Sequence, residues 1–61
     1  MQISGLPAVP IIGKNVYTGA GAKIIGNVHI GDGAIIGANS VVIKNIPIGE
    51  TWAGVPAIRL K

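Results

Sequence analysis

The 61-residue chain has no cysteine, no phenylalanine, one histidine and two acidic residues. Without cysteine there is neither a disulfide framework nor a thiolate metal site. His29, Asp32 and Glu50 are too few for an all-protein metal cage, so no metal is expected. The aromatics are Tyr17 and Trp52 alone, and the five basic residues (Lys14, Lys23, Lys44, Arg59, Lys61) are spread out. A nucleic-acid module clusters its basic residues or carries stacking aromatics, so no nucleic-acid partner is expected. No apolar run approaches the ~18 residues of a membrane span. The N-terminus lacks a charged region followed by an apolar stretch, and the reading is a cytoplasmic protein with no membrane partner. A chain this short forms at most one domain, and one that is marginal alone. With disulfides and metals set aside, oligomerisation is the remaining means of stabilising it.

What the chain does have is glycine, ten residues of it, set among isoleucine, valine and alanine. Glycine is costly inside a helix or strand, yet in "GAGAKIIGNVHIGDGAIIGANS" (19–40) it returns nearly every six residues. Cut into sixes from Ile12, the chain reads IGKNVY, TGAGAK, IIGNVH, IGDGAI, IGANSV, VIKNIP. The first column is β-branched throughout: Ile12, Thr18, Ile24, Ile30, Ile36, Val42. The second is glycine at 13, 19, 31 and 37, broken by Ile25 and Ile43. The fifth is small or aliphatic: Val16, Ala22, Val28, Ala34, Ser40, Ile46. A helix would need apolar spacings of three and four. A six-residue period belongs instead to a solenoid of short strands.

In such a solenoid, position five and position one of the next six lie two apart and point inward, while position six between them points outward. Positions two to four bend the chain, where glycine or asparagine takes positive φ. Three sixes close one triangular coil, and the next stacks on it at ~4.8 Å. The expected inward stacks are Ile12–Ile30–Ile48, Thr18–Ile36, Ile24–Val42, Val28–Ile46, Val16–Ala34 and Ala22–Ser40. The expected outward columns are Tyr17 over Ile35, Lys23 over Val41, and Ile11–His29–Pro47. The fold class is therefore all-β, a parallel β-helix of about two coils plus a C-terminal tail. It divides into an irregular lead-in (1–11), hexapeptide coils (12–47) and an exit strand or tail (48–61). Trp52, at a fifth position, is too large for a narrow interior.

"TGAGAKIIGNVHIGDGAIIGANSVV" followed by "AGVPA" resembles the hexapeptide-repeat acyltransferases over about residues 10–60. The likeness is greatest to the C-terminal part of serine O-acetyltransferases and of related polysaccharide O-acetyltransferases. The resemblance implies a left-handed single-stranded β-helix and a homotrimer. It also implies that acetyl-CoA, as substrate, lies in a groove between neighbouring subunits. The matching corners here are Gly19-Ala20-Gly21 and Gly37-Ala38-Asn39. The CoA-contacting residues implied are Ala20, Gly21 and Ala38. Apart from the resemblance, Lys44, Arg59 and Lys61 read either as point charges that meet CoA phosphates or as a solvated basic end. Small side chains let a ligand approach the backbone, and they also simply make tight corners. The outward Ile35 and Val41 agree with a covered subunit face.

The chain also departs from the family's pattern. The family's general base is a histidine on an earlier coil than any read here. An Arg-His-Pro sequence that helps bind serine aligns with Ala8-Val9-Pro10, where only the proline matches. His29, at an outward sixth position, reads as a surface group, and Asp32 and Glu50 as corner and loop residues. No catalytic residue is assigned. The expectation is the C-terminal part of an acetyl-CoA-dependent O-acetyltransferase, lacking the catalytic histidine. The alternative is a catalytically inactive β-helical module for assembly or CoA binding, whether as a fragment, a truncated gene or a complete small protein. A γ-type carbonic anhydrase shares the fold but needs three histidine ligands.

Overall fold

The computed structural model describes residues 9–61, and these contain strands and turns with no helix. Expectations that fall on residues 1–8, including most of the irregular lead-in and Ala8, lie outside the described residues. The six-residue period gives six two-residue strands: β1 (Ile11–Ile12), β2 (Tyr17–Thr18), β3 (Lys23–Ile24), β4 (His29–Ile30), β5 (Ile35–Ile36) and β6 (Val41–Val42). Each comprises one outward sixth position and one inward first position. Two longer strands follow, β7 (Thr51–Gly54) and β8 (Ala57–Arg59).

The strands stack in parallel eighteen residues apart. Ile11 and Ile12 pair with His29 and Ile30, Tyr17 and Thr18 with Ile35 and Ile36, and Lys23 and Ile24 with Val41 and Val42. The chain thus climbs a three-faced solenoid, with β1–β3 forming its first tier and β4–β6 its second. Backbone amides at the strand boundaries donate to the tier above, as Gly19 N–H does to the Ile36 carbonyl (2.8 Å) and Ile25 N–H to that of Val42 (2.9 Å). The core lies in the second tier: Ile30, Ala34, Ile36, Ser40 and Val42 are wholly buried.

The third tier departs from the expected spacing. Ile46, not Ile48, bridges Ile30, and β7 pairs Thr51 with Ile35 and Trp52 with Ile36. The offset between tiers is therefore sixteen residues, because the turn from Val42 to Ile46 spans four residues where its predecessor from Ile24 to Ile30 spans six. Three expectations fall with this contraction. Ile48 is 74% exposed at a corner instead of buried under Ile30. Pro47 is displaced from the outward column to that same corner. Ile46 stacks on Ile30 and not on Val28. Trp52 moves from a fifth position to a first, where it is half-buried against the core cluster as the solenoid's lid. Asn45 compensates for the missing residues: its Oδ1 accepts the His29 amide at 2.8 Å, the place a backbone carbonyl takes elsewhere in the ladder.

The first tier also differs from expectation. Its inward residues have the expected partners, but Ile12 is 46% exposed and Thr18 is exposed, with Val16, Ala22 and Ile24 half-buried. Among the described residues no further tier packs beneath them.

Glycine serves two distinct purposes at the corners. Positive φ falls at the fourth position of the six at Asn15, Gly21, Gly33, Asn39 and, after the contraction, Gly49, and at the third position at Gly26. Second-position glycines are demanded by tier packing: a Cβ on Gly19 would stand 2.5 Å from the Ala38 amide nitrogen. Where glycine holds position two, at 13, 19, 31 and 37, the neighbouring tier occupies the space a side chain would need; the corner of Ile25 and Ile43 is the exception.

Candidate functional site

The corner between β2 and β3 recurs between β5 and β6, and it gathers the small residues. In the first tier it is Gly19-Ala20-Gly21 and in the second Gly37-Ala38-Asn39. The Asn39 amide donates to the Ala20 carbonyl at 2.9 Å, which bonds one tier to the other at this corner. Gly21 has φ +77°, and a Cβ there would collide with the Asn39 side chain. Ala20, Gly21, Ala38 and Asn39 are exposed, so the corner presents backbone with little side-chain cover.

β7 carries this corner to a third level. Ala53 lies over Gly37, where an added Cβ would stand 2.9 Å from the Ala53 Cβ. The chain then leaves the solenoid. Gly54 adopts φ +111°, and β8 returns antiparallel to β7, pairing Arg59 with Trp52 and Ala57 with Gly54. The AGVPA segment is thus a hairpin that closes the third tier above the corner. Its link to the tier below is Ser40, wholly buried, whose Oγ accepts the Gly54 amide at 3.1 Å.

Of the expected ligand residues the structure brings Ala20, Gly21 and Ala38 together. Lys44 lies on the shortened turn after β6, at the next corner of the triangle, with β6 between it and Ala38. Arg59 lies on β8, in the sheet β2-β5-β7-β8 that leads into the small-residue corner. Its Nε is 3.5 Å from Glu50 Oε2, and the other carboxylate oxygen of Glu50 accepts the Trp52 indole N–H at 3.0 Å. Glu50, read from the sequence as a plain loop residue, therefore joins the lid to the hairpin and partly neutralises Arg59. Sequence reasoning also missed Ser40, Ala53 and Gly54 as neighbours of the corner. The hydroxyl in an otherwise aliphatic fifth column was the one available signal.

A depression lies between β4 and the shortened turn of the third tier. It is an open cleft of about 440 Å³ bordered by His29, Asp32, Asn45 and Pro47. Two of its polar side chains are engaged in structure: Asp32 Oδ1 accepts the Lys14 amide at 2.8 Å, and Asn45 Oδ1 accepts the His29 amide. Among the described residues no group of three His, Cys, Asp or Glu side chains is placed to hold a metal ion. Nor is there a helix long and apolar enough to cross a membrane.

Parallel two-residue strands, inward β-branched columns and stacked small corners define a parallel β-helix, and its match to acetyltransferase structures makes it the left-handed kind. The chain belongs to the bacterial transferase hexapeptide family, whose six-repeat model matches residues 10–44. It is 58% identical over 52 residues to the serine acetyltransferase of Buchnera aphidicola subsp. Schizaphis graminum, a match covering 85% of this chain and 20% of that protein. The crystal structure of Neisseria gonorrhoeae serine acetyltransferase superposes with a TM-score of 0.90 at 46% identity, covering 93% of this chain and 22% of that one. A galactoside acetyltransferase in complex with coenzyme A superposes with a TM-score of 0.83 at 42% identity, over 85% of this chain and 26% of that one. The chain therefore spans about one fifth of the length of the curated relatives it matches.

Proposed function

We propose that these residues are the CoA-binding C-terminal coils of an acetyl-CoA-dependent O-acetyltransferase, acting in the cytoplasm. The observation that carries this reading is the two-tier corner at Ala20-Gly21 and Ala38, where stacked backbone is exposed and the one side chain larger than methyl beside it is that of Asn39. An extended pantetheine arm lies along such an edge with its amides against the backbone. Arg59, on the adjoining sheet, approaches the phosphates as a point charge, weakened by Glu50. Lys44, one corner away, contributes only at longer range, where screening is strong. The chemistry served is attack of an acceptor hydroxyl on the thioester carbonyl, with the CoA thiol leaving and the hydroxyl proton passing to a general base. The likeness extends to both serine and galactoside acetyltransferases, so the acceptor class is an amino-acid or sugar hydroxyl.

The functional assembly is a homotrimer. Support comes from the apolar residues that the fold leaves outward, with Tyr17, Ile25, Ile35 and Ile43 each more than two-fifths exposed. Ile25 and Ile43 stack at the one corner where isoleucine replaces the second-position glycine. A small solenoid gains stability by covering such a ridge with a second copy. Sedimentation at micromolar concentration tests this, and a monomer that unfolds cooperatively at that concentration contradicts it.

His29 is exposed, held through its backbone by Asn45, and on the face opposite the small-residue corner. No described residue stands as a base at that corner. General-base assistance contributes ~10²–10⁴-fold. These 61 residues should therefore bind CoA weakly and transfer acetyl negligibly. Calorimetric titration with CoA, beside thiol release from acetyl-CoA with serine or a galactoside as acceptor, checks both halves. Turnover abolished by His29→Ala would contradict the surface reading of that residue.

A further inference from the structure

Ser40 is a polar residue in an apolar column. One tier below, the same fifth position is Ala22, and the neighbouring faces carry Val28 and Ala34. The hydroxyl is wholly buried, yet its position is explained by what happens above it. Between the first two tiers the corner is bonded backbone to backbone, Asn39 N–H to Ala20 carbonyl. The third tier cannot repeat this, because the chain turns back at Gly54 instead of rounding the corner.

Strand alternation shows which way the Gly54 amide points. The Trp52 carbonyl accepts from Gly37 in the tier below, whereas Thr51 exchanges hydrogen bonds with Leu60 and Lys61 on the β8 side. Gly54, two residues after Trp52, therefore faces the lower tier as well. There the acceptor it meets is Ser40 Oγ at 3.1 Å. Ser40 is also the residue that ends the Gly37-Ala38-Asn39 corner, and its own amide closes that turn onto the Gly37 carbonyl at 3.4 Å. One residue thus holds the corner from inside and pins the hairpin above it.

We propose that Ser40 is a positioning residue of the CoA site. By accepting the Gly54 amide it fixes the Gly37–Asn39 corner against the C-terminal hairpin, so that the corner backbone and the hairpin turn meet one ligand in a set geometry. This rests on the CoA reading given above. Removing the hydroxyl takes away the acceptor of the part-buried Gly54 amide and lets hairpin and corner move apart, without emptying space beyond a single oxygen.

The test is a titration of the 61-residue chain with CoA, followed by amide chemical shifts and by calorimetry. It compares wild type, Ser40→Ala and Ser40→Cys at a temperature where circular dichroism shows all three folded. In the wild type, CoA should shift the Ala38, Asn39 and Gly54 amides together. Ser40→Ala should raise the dissociation constant roughly five- to tenfold and uncouple the Gly54 shift from that of Ala38. Ser40→Cys, with a weaker acceptor of similar shape, should recover part of the loss. Wild-type affinity in folded Ser40→Ala, or a Gly54 amide indifferent to CoA while Ala38 responds, overturns the role of Ser40 alone. A wild-type chain that binds no CoA overturns the reading of the corner, and this inference with it.

Discussion

The first two tiers and the third are written in the same six-residue words but folded to different ends. In the lower tiers every strand lies eighteen residues from its partner, and the inward columns follow the sequence without exception. In the third, a four-residue turn at Val42–Ile46 removes two residues, and everything after it changes place: Ile46 takes the position under which Ile48 was expected, and Trp52 becomes a lid. Burial follows the same division. Identical column positions are wholly buried in the second tier and half-exposed in the first, because a solenoid residue is covered only by the tiers on both sides of it. The repeat thus specifies which way a side chain points, and stacking decides how much that matters.

The sharpest way to break this comparison is a charge placed at the same column position in two tiers. Ile36→Asp buries an unpaired carboxylate at a site with no exposure, and cooperative unfolding should be lost altogether. Ile12→Asp, 46% exposed in the first tier, should leave a folded protein with a lowered denaturation midpoint. Equal effects by chemical denaturation would contradict the assignment of the core to the second tier.

The two kinds of corner glycine offer the next test. Gly19→Ala drives a methyl into the backbone of the tier above and should cost about 1–3 kcal/mol, as overpacking does. Gly33, with φ +71° and open space around it, should accept asparagine with little change, since asparagine visits that region and already stands at the equivalent positions 15 and 39. Gly19→Asn, measured by thermal unfolding, should be as damaging as Gly19→Ala.

Smaller effects sharpen the third tier. Asn45→Ala removes the acceptor that replaces a missing backbone carbonyl and should cost about 0.5–1.5 kcal/mol, with faster hydrogen exchange at the His29 amide. Lys14→Ala should be silent in the same measurements, because the structural bond to Asp32 is made by the Lys14 backbone amide and its side chain is exposed.

The fold class, the pairing of β1 through β6, and the small-residue corner at Ala20-Gly21 and Ala38 were legible from the residues alone. All three depend on a fixed period, and a period of six with β-branched first positions leaves one geometry in which every inward residue meets another. The register of the third tier, the closeness of Ser40 to Gly54, and the pairing of Arg59 with Glu50 emerged from the packing of the folded chain. Those depend on where a turn drops two residues and on how the AGVPA hairpin folds back. A local pattern does not carry such information, because the turn's length is settled by which stacking buries Ile46 and Trp52 while still giving the His29 and Gly54 amides their acceptors.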